Sequence, residues 1–408
     1  MTTTINNKHK KLNVPNLRFK EFEGEWEKRT LGNNVKIQGG YAFKSELFLG
    51  NGIPIIRISN LPQNASFVDL DDCIYYKKGN YISFEVHNGD LLIAMSGATT
   101  GKTAIYNKKT LAYLNQRVGL FKSTNSDSLY YPFLYAFVST PVFKRQLSTR
   151  LIAGAQPNIS SSDIESIRIS IPQKNEQEKI AHLMLLLDER IATQNKIIEK
   201  LQSLIKGIMV ELQKQGEDRG TWKKLSLGDV LSERNERNTN LYQVFSVSVS
   251  QGIVNQVDYL GSSFAAKDTS KYNVVHYGDL VYTKSPTGSF PYGIVKQSIN
   301  IDNVAVSPLY GVYEPRSFAI GAYLHEYFMS EINTHNYLHP LIQKGAKNTI
   351  NITNQRFLEN RVPMPVNSNE LLLISKLLYS LNDKIKHAQN TLEEYHKQKQ
   401  YLLRQMFI

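Results

Sequence analysis

The sequence predicts an α+β protein in which one module occurs twice: a β-rich globular domain followed by a long amphipathic helix. Three observations predict this fold. Motifs of the first half return in the second half, apolar residues after each half follow a coiled-coil period, and the other apolar runs are short and end at Gly, Asn or Pro. We therefore expect an internal pseudo-two-fold duplication with globular domains at 1–173 and 216–366 and helices at 174–215 and 367–408.

The landmarks of the globular repeat keep the same order in both halves. Each half opens on a tryptophan followed by a Leu-Gly pair, carries a Gly-Asp pair before an apolar run, and closes on a proline. These landmarks are Trp26, Leu31-Gly32, Gly89-Asp90 and Pro172, then Trp222, Leu227-Gly228, Gly278-Asp279 and Pro365. The residues between them have diverged, which predicts two domains of one fold with different surfaces.

After each closing proline, apolar residues recur at alternating spacings of four and three, which places them on one helical seam. Each run spans about 40 residues, or ~60 Å of helix. A seam of this length needs a partner, so we expect the two helices to form an antiparallel coiled coil; the alternative is that each helix packs only on the domain before it. The seam residues are Ile180, Met184, Leu187, Ile191, Gln194, Ile198, Leu201, Ile205, Ile208 and Leu212, then Ile374, Leu378, Leu381, Ile385, Ala388, Leu392, Tyr395, Lys399, Leu402 and Met406.

The sequence of the globular parts predicts mostly β-strands with a few helices. Short runs at 53–58, 91–95, 244–249 and 280–282 are bounded by turn residues, and tyrosine, a strand-favouring residue, occurs 23 times. Helices are expected near 131–138 and 323–329. These local patterns predict strands but no strand order.

Composition limits the class of protein and of partner. A net charge of +12 and a pI near 9.4 favour a polyanionic partner, and most of the basic surplus lies outside the two helices. The single cysteine, Cys73, excludes an internal disulfide. No apolar run approaches the ~18 residues that span a bilayer, so the expected location is the cytoplasm, away from any membrane.

Several of these motifs together resemble one family, the specificity subunits of type I restriction–modification enzymes, over nearly the whole chain. The first copy carries Trp26, Leu31-Gly32, Gly89-Asp90, Gly101-Lys102-Thr103, Asn115-Gln116-Arg117, Glu176-Gln177 and Leu187-Asp188. The second copy departs from the pattern at Asn369-Glu370, where the first has the Glu-Gln pair.

The resemblance implies a non-catalytic DNA reader. Each globular part would be a target recognition domain for one half of an asymmetric bipartite site in double-stranded DNA, and the helices would set the gap. The implied partners are two modification subunits, which methylate adenine, and restriction subunits, which cleave DNA. S-adenosylmethionine, ATP and Mg would then belong to those partners, with no cofactor on this chain.

The main alternative to DNA reading is a nucleotide-binding loop. The segment from Ser96 to Thr103 ends in Gly101-Lys102-Thr103 but has Ser96 where a P-loop requires Gly. No helix is expected after Thr103, although a phosphate site needs a helix N-terminus there. The second copy lacks Gly-Lys-Thr, so the sequence disfavours ATP binding.

Catalytic and metal sites find little support. A methyltransferase is disfavoured because Gly50 and Gly52 precede a strand rather than a helix, and no Pro-Pro pair occurs. Glu331, His335 and His339 share one helical face, but no further ligand completes a zinc site. We expect no catalytic residue and no metal site.

Polar residues on glycine-bearing loops are the candidates for DNA contact. Arg and Lys pair with guanine, Gln and Asn pair with adenine, and other basic groups hold phosphates. Two alternatives remain: a duplicated DNA-binding regulator that acts alone, and a scaffold that binds DNA without sequence preference. The candidates are Thr99, Thr100, Lys102, Gln116, Arg117, Gln156 and Asn158 in the first domain and Lys284, Ser285, Thr287, Lys344, Lys347 and Asn348 in the second.

Overall fold

A computed structural model describes residues 12–61, 67–151, 157–262, 265–344 and 350–408. The chain divides into two compact units. The first comprises Met1–Asn195 and Thr391–Ile408, and the second comprises Lys196–Asn390. The unit boundaries fall inside the two long helices, so each unit contains parts of both.

The first unit is built on two four-stranded sheets. Its strands are β1 (Glu27–Thr30), β2 (Val35–Gly39), β3 (Ile53–Ile56), β4 (Ile74–Tyr76), β5 (Glu85–Val86), β6 (Leu91–Ala94), β7 (Thr103–Ile105), β8 (Ala112–Leu114), β9 (Val118–Ser123) and β10 (Arg168–Ile171). The sheet orders are β2-β9-β6-β7 and β4-β3-β8-β5, and β1 pairs antiparallel with β10. The helices are α1 (Tyr131–Ser139), α2 (Pro141–Ser148), α3 (Ser161–Glu165) and the long α4 (Lys174–Asp218).

The position of strand β6 between two cores explains why its sequence is apolar throughout. Successive strand side chains point to opposite faces of a sheet. Leu91 and Ile93 join the core shared with α1 and α4, whereas Leu92 and Ala94 join the core on the other face. Both faces of this sheet are therefore buried at β6.

The second unit repeats one of these four-stranded sheets and the antiparallel strand pair. Its strands are β11 (Trp222–Ser226), β12 (Leu231–Glu233), β13 (Phe245–Ser248), β14 (Gly252–Asn255), β15 (Asn273–Val275), β16 (Leu280–Tyr282), β17 (Val295–Gln297), β18 (Val304–Val306), β19 (Gly311–Pro315), β20 (Gln343–Lys344), β21 (Ile350–Asn351) and β22 (Arg361–Pro365). The order β12-β19-β16-β17 matches β2-β9-β6-β7, and β11-β22 matches β1-β10. The helices are α5 (Gln256–Leu260), α6 (Phe318–Tyr327), α7 (Glu331–Leu338), α8 (Asn354–Phe357) and the long α9 (Ser368–Gln405). The predicted duplication and α+β fold are confirmed.

Short 3-10 helices complete the described secondary structure. Two of them, Leu31–Asn33 and Leu227–Asp229, follow β1 and β11 and contain the repeated Leu-Gly pair. The others are Ser45–Leu47, Ile58–Asn60, Ile82–Phe84 and His339–Leu341.

The repeated Gly-Asp pair forms the turn that begins the central strand. Gly89 and Gly278 adopt φ values of +95° and +91°, a left-handed conformation that favours glycine. The carboxylate of Asp90 accepts the backbone N–H of His87 at 2.7 Å, and Asp279 accepts that of His276 at 2.8 Å. Burial raises the pKa of both aspartates. This motif is therefore part of the framework in both units.

The two long helices pack antiparallel inside the first unit. Asp188 forms an ion pair with Lys399, and the Arg190 guanidinium lies 6.0 Å from the centre of the Tyr395 ring. The residue number rises along α4 as it falls along α9, which is the signature of an antiparallel pair. Phe407, just beyond the end of α9, joins the core that contains Trp26. The alternative in which α9 packs only on the domain before it is therefore wrong.

The helix ends differ slightly from the predicted ones. Helix α4 continues to Asp218, beyond the expected end at residue 215, and the tryptophan strand β11 follows at Trp222. Both helices carry an acid in the first turn, Glu176 and Glu370. Glu176 binds Arg18 with both oxygens, and Glu370 accepts the Trp222 indole N–H at 2.8 Å. The second helix start is thus closer to the first than its sequence suggested. In the described part of the chain, no helix has the length and apolarity needed to cross a membrane.

Candidate nucleic-acid interface

Three loop segments of the first unit meet at Met95, just after the central strand β6. The Met95 N–H donates to the Arg117 carbonyl at 2.9 Å, and the Met95 carbonyl accepts from the Ile159 N–H at 3.0 Å. Gly97 also donates to the Pro157 carbonyl at 3.0 Å. These bonds bring together loop 96–102, turn 115–117 and segment 157–159, which are distant in sequence.

Most candidate residues of the first unit lie on this junction. Gln116, Arg117 and Asn158 are exposed, and Thr99 and Lys102 are half-buried. The hydroxyls of Ser96 and Thr99 are shielded from solvent, and they have no hydrogen-bond partner among the described residues. That these residues contact DNA stays a prediction. Gln156 lies outside the described residues.

Thr100 already uses its side chain to hold the junction together. Its hydroxyl lies 2.6 Å from the Gly97 carbonyl oxygen and 2.9 Å from that of Pro157, so its proton is directed at backbone acceptors. Thr100, predicted to contact DNA, therefore also stabilises the loop.

The loop at 96–102 lacks the geometry of a P-loop. Strand β7 begins at Thr103, directly after Lys102, and pairs antiparallel with β6. A phosphate-binding loop would instead lead into a helix whose N-terminal N–H groups face the phosphates. The expectation that no helix follows Thr103 is confirmed.

In the second unit, the matching loop follows β16. Lys284 is half-buried, Ser285 is exposed, and Thr287 lies in a tight turn in which it exchanges two 3.0 Å backbone hydrogen bonds with Phe290. Lys344 lies in β20, which forms a separate two-stranded sheet with β21. Lys347 and Asn348 lie outside the described residues.

One residue beside turn 115–117 and one in β21 were not predicted from the sequence. Tyr41 is 39% exposed, and its backbone carbonyl accepts the Gln116 N–H at 3.0 Å, which joins this residue to the candidate turn. A Cβ at the preceding Gly40 would stand 2.2 Å from the Asn115 carbonyl oxygen, which explains the glycine. The Gly39-Gly40 pair is the feature of the sequence that could have indicated a close backbone approach next to Tyr41.

Asn351 is the second missed residue, and it is the counterpart of Asn158. Each asparagine precedes an isoleucine and then a helix-capping hydroxyl: Ser160 caps α3 and Thr353 caps α8. The helix caps therefore place Asn351 at the position that corresponds to Asn158.

A metal site is absent from the described part of the chain, where His, Cys, Asp and Glu form no group able to hold an ion. The three residues considered for zinc have other contacts. Glu331 accepts a hydrogen bond from the Ser289 hydroxyl at 2.5 Å. The rings of His335 and His339 stack with centroids 5.1 Å apart, and Tyr292 packs beside both.

Comparison with known proteins points to one family. Residues 23–203 match the model of the type I restriction modification DNA specificity domain. The MjaVIII type I restriction enzyme specificity subunit of Methanocaldococcus jannaschii is 31% identical over 201 residues, which cover 46% of this chain and 45% of that protein. The EcoAI specificity subunit of Escherichia coli is 28% identical over 184 residues, or 43% of this chain and 30% of that protein. The chain thus aligns with less than half the length of these relatives.

A solved structure shares the fold over nearly the whole chain. The type I restriction–modification S subunit of M. genitalium superimposes with a TM-score of 0.64 at 14% identity, covering 97% of this chain and 99% of that one. At this level of identity the likeness concerns the fold alone.

Proposed function

We infer that this chain is a specificity subunit of a type I restriction–modification system and that it reads an asymmetric bipartite sequence in double-stranded DNA, one half with each unit. The observation that carries this proposal is the repeated strand order with diverged loops. Loop 96–102 ends in Gly101-Lys102, whereas its counterpart after Lys284 holds two prolines and no such pair. Two readers with unlike loops favour two unlike half-sites.

The chemistry of the exposed loops suits base reading. Arg117 offers two parallel donors of the kind that pair with the guanine O6 and N7 atoms, and Gln116 and Asn158 offer the donor and acceptor that pair with adenine. The net charge of +12 supports additional contacts with phosphates. Each good bidentate pair discriminates against a wrong base by about 1–3 kcal/mol.

The chain itself is a non-catalytic specificity subunit, and the chemistry belongs to its proposed partners. Two modification subunits would transfer a methyl group from S-adenosylmethionine to adenine, and restriction subunits would use ATP and Mg to act on DNA. The names of the relatives, which are restriction enzyme specificity subunits, support this assembly.

Exchange of one domain tests the two-reader proposal. The full chain is co-expressed with its modification subunit, and modified adenines are mapped by methylation-sensitive sequencing. We expect a split motif with a fixed gap. Replacing residues 216–366 with the corresponding domain of a related subunit should change one half of that motif and leave the other half and the gap unchanged.

Four results would contradict this proposal in different ways. A contiguous motif would exclude two separate readers, and a change in both halves would show that the domains do not read independently. Tight, selective binding by the chain alone, without methylation, would favour a stand-alone regulator. Equal competition by random DNA would favour a non-selective scaffold.

Lengthening both helices tests their proposed role in setting the gap. One heptad inserted after Asn195 and another after Asn390 preserve the seam and add about 10 Å of helix. Since ten base pairs span ~34 Å, we expect the gap to grow by about three base pairs with both half-sites unchanged. In the control, one existing heptad at each of these two places is replaced by another heptad, so that the length of each helix stays the same. An unaltered gap in the lengthened chain would show that the helices do not set it.

A further inference from the structure

Lys284 is held in an unusual backbone conformation. Its φ is +58°, and among the described residues other than glycine only Leu241 shares a positive φ. A left-handed conformation at a long side chain costs free energy and persists where the surroundings enforce it. Such conformations concentrate at binding sites. The contacts around Lys284 therefore bear on its function.

Gly293 allows the backbone of Lys284 to lie close against it in this conformation. A Cβ at position 293 would lie 2.8 Å from the Lys284 amide nitrogen and 3.0 Å from the Tyr282 ring. The Tyr282 ring in turn stacks on Phe357 at 4.7 Å. The backbone of Lys284 therefore rests against a glycine that a packed aromatic pair keeps in place.

The side chain of Lys284 is half-buried, and its ammonium donors are available to solvent or to a ligand. Among the described residues, no atom accepts a hydrogen bond from it, and burial lowers its pKa. A desolvated cation with open donors gains more from an acceptor than a solvated one does. The site is therefore suited to a ligand that presents acceptors.

Glu233 supplies a fixed negative charge near this ammonium. Its charge raises the Lys284 pKa against the effect of burial. Its Oε1 accepts from the Asn354 side-chain amide at 2.6 Å, and the Asn354 Oδ1 is shielded from solvent without a partner in the described part of the chain. Asn354 thus holds Glu233, and Glu233 favours the charged form of Lys284.

The first unit has an apolar pair at the equivalent positions. The strand registers place Ile37 opposite Phe121 and Glu233 opposite Tyr313, in matching strands. Met95 follows β6 as Lys284 follows β16, and a Cβ at Gly119 would touch both Met95 and Ile37. The charged group is therefore particular to the second unit, as a determinant of one half-site should be.

We propose that Lys284 selects a guanine in the half-site read by the second unit, with Glu233 and Asn354 as positioning residues. This inference rests on the proposed function of the chain. A lysine only donates, and guanine presents two acceptors, N7 and O6, in the major groove. Adenine presents one acceptor beside an amino group, so the same ammonium discriminates against it.

Substitution of Lys284 in the full chain, co-expressed with its modification subunit, tests the proposal by mapping the methylated motif. Lys284→Met keeps the apolar stem and carries the residue found in the first unit. We expect preference for guanine at one position of one half-site to fall by about 10- to 100-fold, with the other half and the gap unchanged. Lys284→Gln should move the preference at that position towards adenine. Lys267→Ala, an exposed lysine of the same unit, is the control and should leave the motif unchanged.

The positioning residues give a second readout. Glu233→Gln and Asn354→Ala should reduce methylation and loosen the same single position while guanine stays preferred there. A structural role alone would lower methylation without loosening one position. An unchanged motif in Lys284→Met, or equal weakening at every position as expected of a phosphate contact, would overturn the proposal. A wild-type chain without a split motif would overturn the proposed function together with this inference.

Discussion

Replacing Phe407 with alanine is expected to lower the free energy of unfolding of the first unit by about 3–5 kcal/mol. Phe407 is only 4% exposed, and its ring stacks 5.3 Å from Phe133 and lies 6.3 Å from Trp26. Removing the ring leaves a cavity in a core formed by strand, helix and chain-end residues. The effect should be large although the residue is the last but one of the sequence.

Denaturant unfolding, followed by fluorescence, measures this loss. The chain has two tryptophans, one in each unit, so a Trp222→Phe background leaves Trp26 as the reporter beside Phe407. Tyr401→Ala is the matched control, since Tyr401 lies near the end of α9 in the same unit as Phe407 but is 58% exposed. The control should change stability by less than about 0.5 kcal/mol. A loss of less than about 1 kcal/mol in Phe407→Ala would contradict the packing described for the first unit.

Replacing Arg234 with alanine should destabilise the second unit by about 3–5 kcal/mol, because it leaves a buried carboxylate without its cation. Arg234 binds Asp279 through two nitrogens at 2.7 and 3.1 Å, and the Asp279 side chain is 2% exposed. The Asp279→Asn change in the same background should restore part of the loss, since a neutral amide is cheaper to bury. Arg316→Ala, an exposed arginine of the same unit, should have little effect.

The loss in Arg234→Ala should depend on pH in a definite direction. Burial raises the pKa of Asp279, and the hydrogen bond and charge of Arg234 oppose that rise. Without Arg234 the folded-state pKa rises further, so the folded variant binds the proton more tightly than the unfolded chain does. Its stability then falls as pH increases from the unfolded-state pKa to the folded-state pKa. Denaturant unfolding should show a larger deficit at neutral pH than at pH 4, and an equal deficit at both would contradict an unpaired Asp279.

Local sequence patterns predicted several elements of this fold. The seam from Ile180 to Leu212 predicted α4 because helical periodicity is a property of neighbouring residues. The runs at 91–95 and 280–282 predicted β6 and β16 for the same reason. The strand order could not be predicted, because pairs such as β2 with β9 join residues far apart in the chain.

The candidate site was predicted only in part. Lys102, Gln116, Arg117 and Asn158 were chosen singly, and their meeting around Met95 depends on hydrogen bonds between distant loops. Tyr41 was missed because its neighbour, Gln116, is remote in sequence. Thr100 was assigned to DNA, but its hydroxyl is directed at backbone carbonyls.

The order of amino acids established the duplication, the two long helices and the β-rich character of both domains, since each depends on spacing along the chain. Packing in three dimensions established what the spacing does not encode. It joined the end of α9 to the core around Trp26, placed three loops at Met95, and bonded Asn354 to Glu233, whose charge acts on Lys284. Apolar burial and hydrogen bonds between remote segments produce these contacts, so they follow from the folded chain rather than from any local pattern.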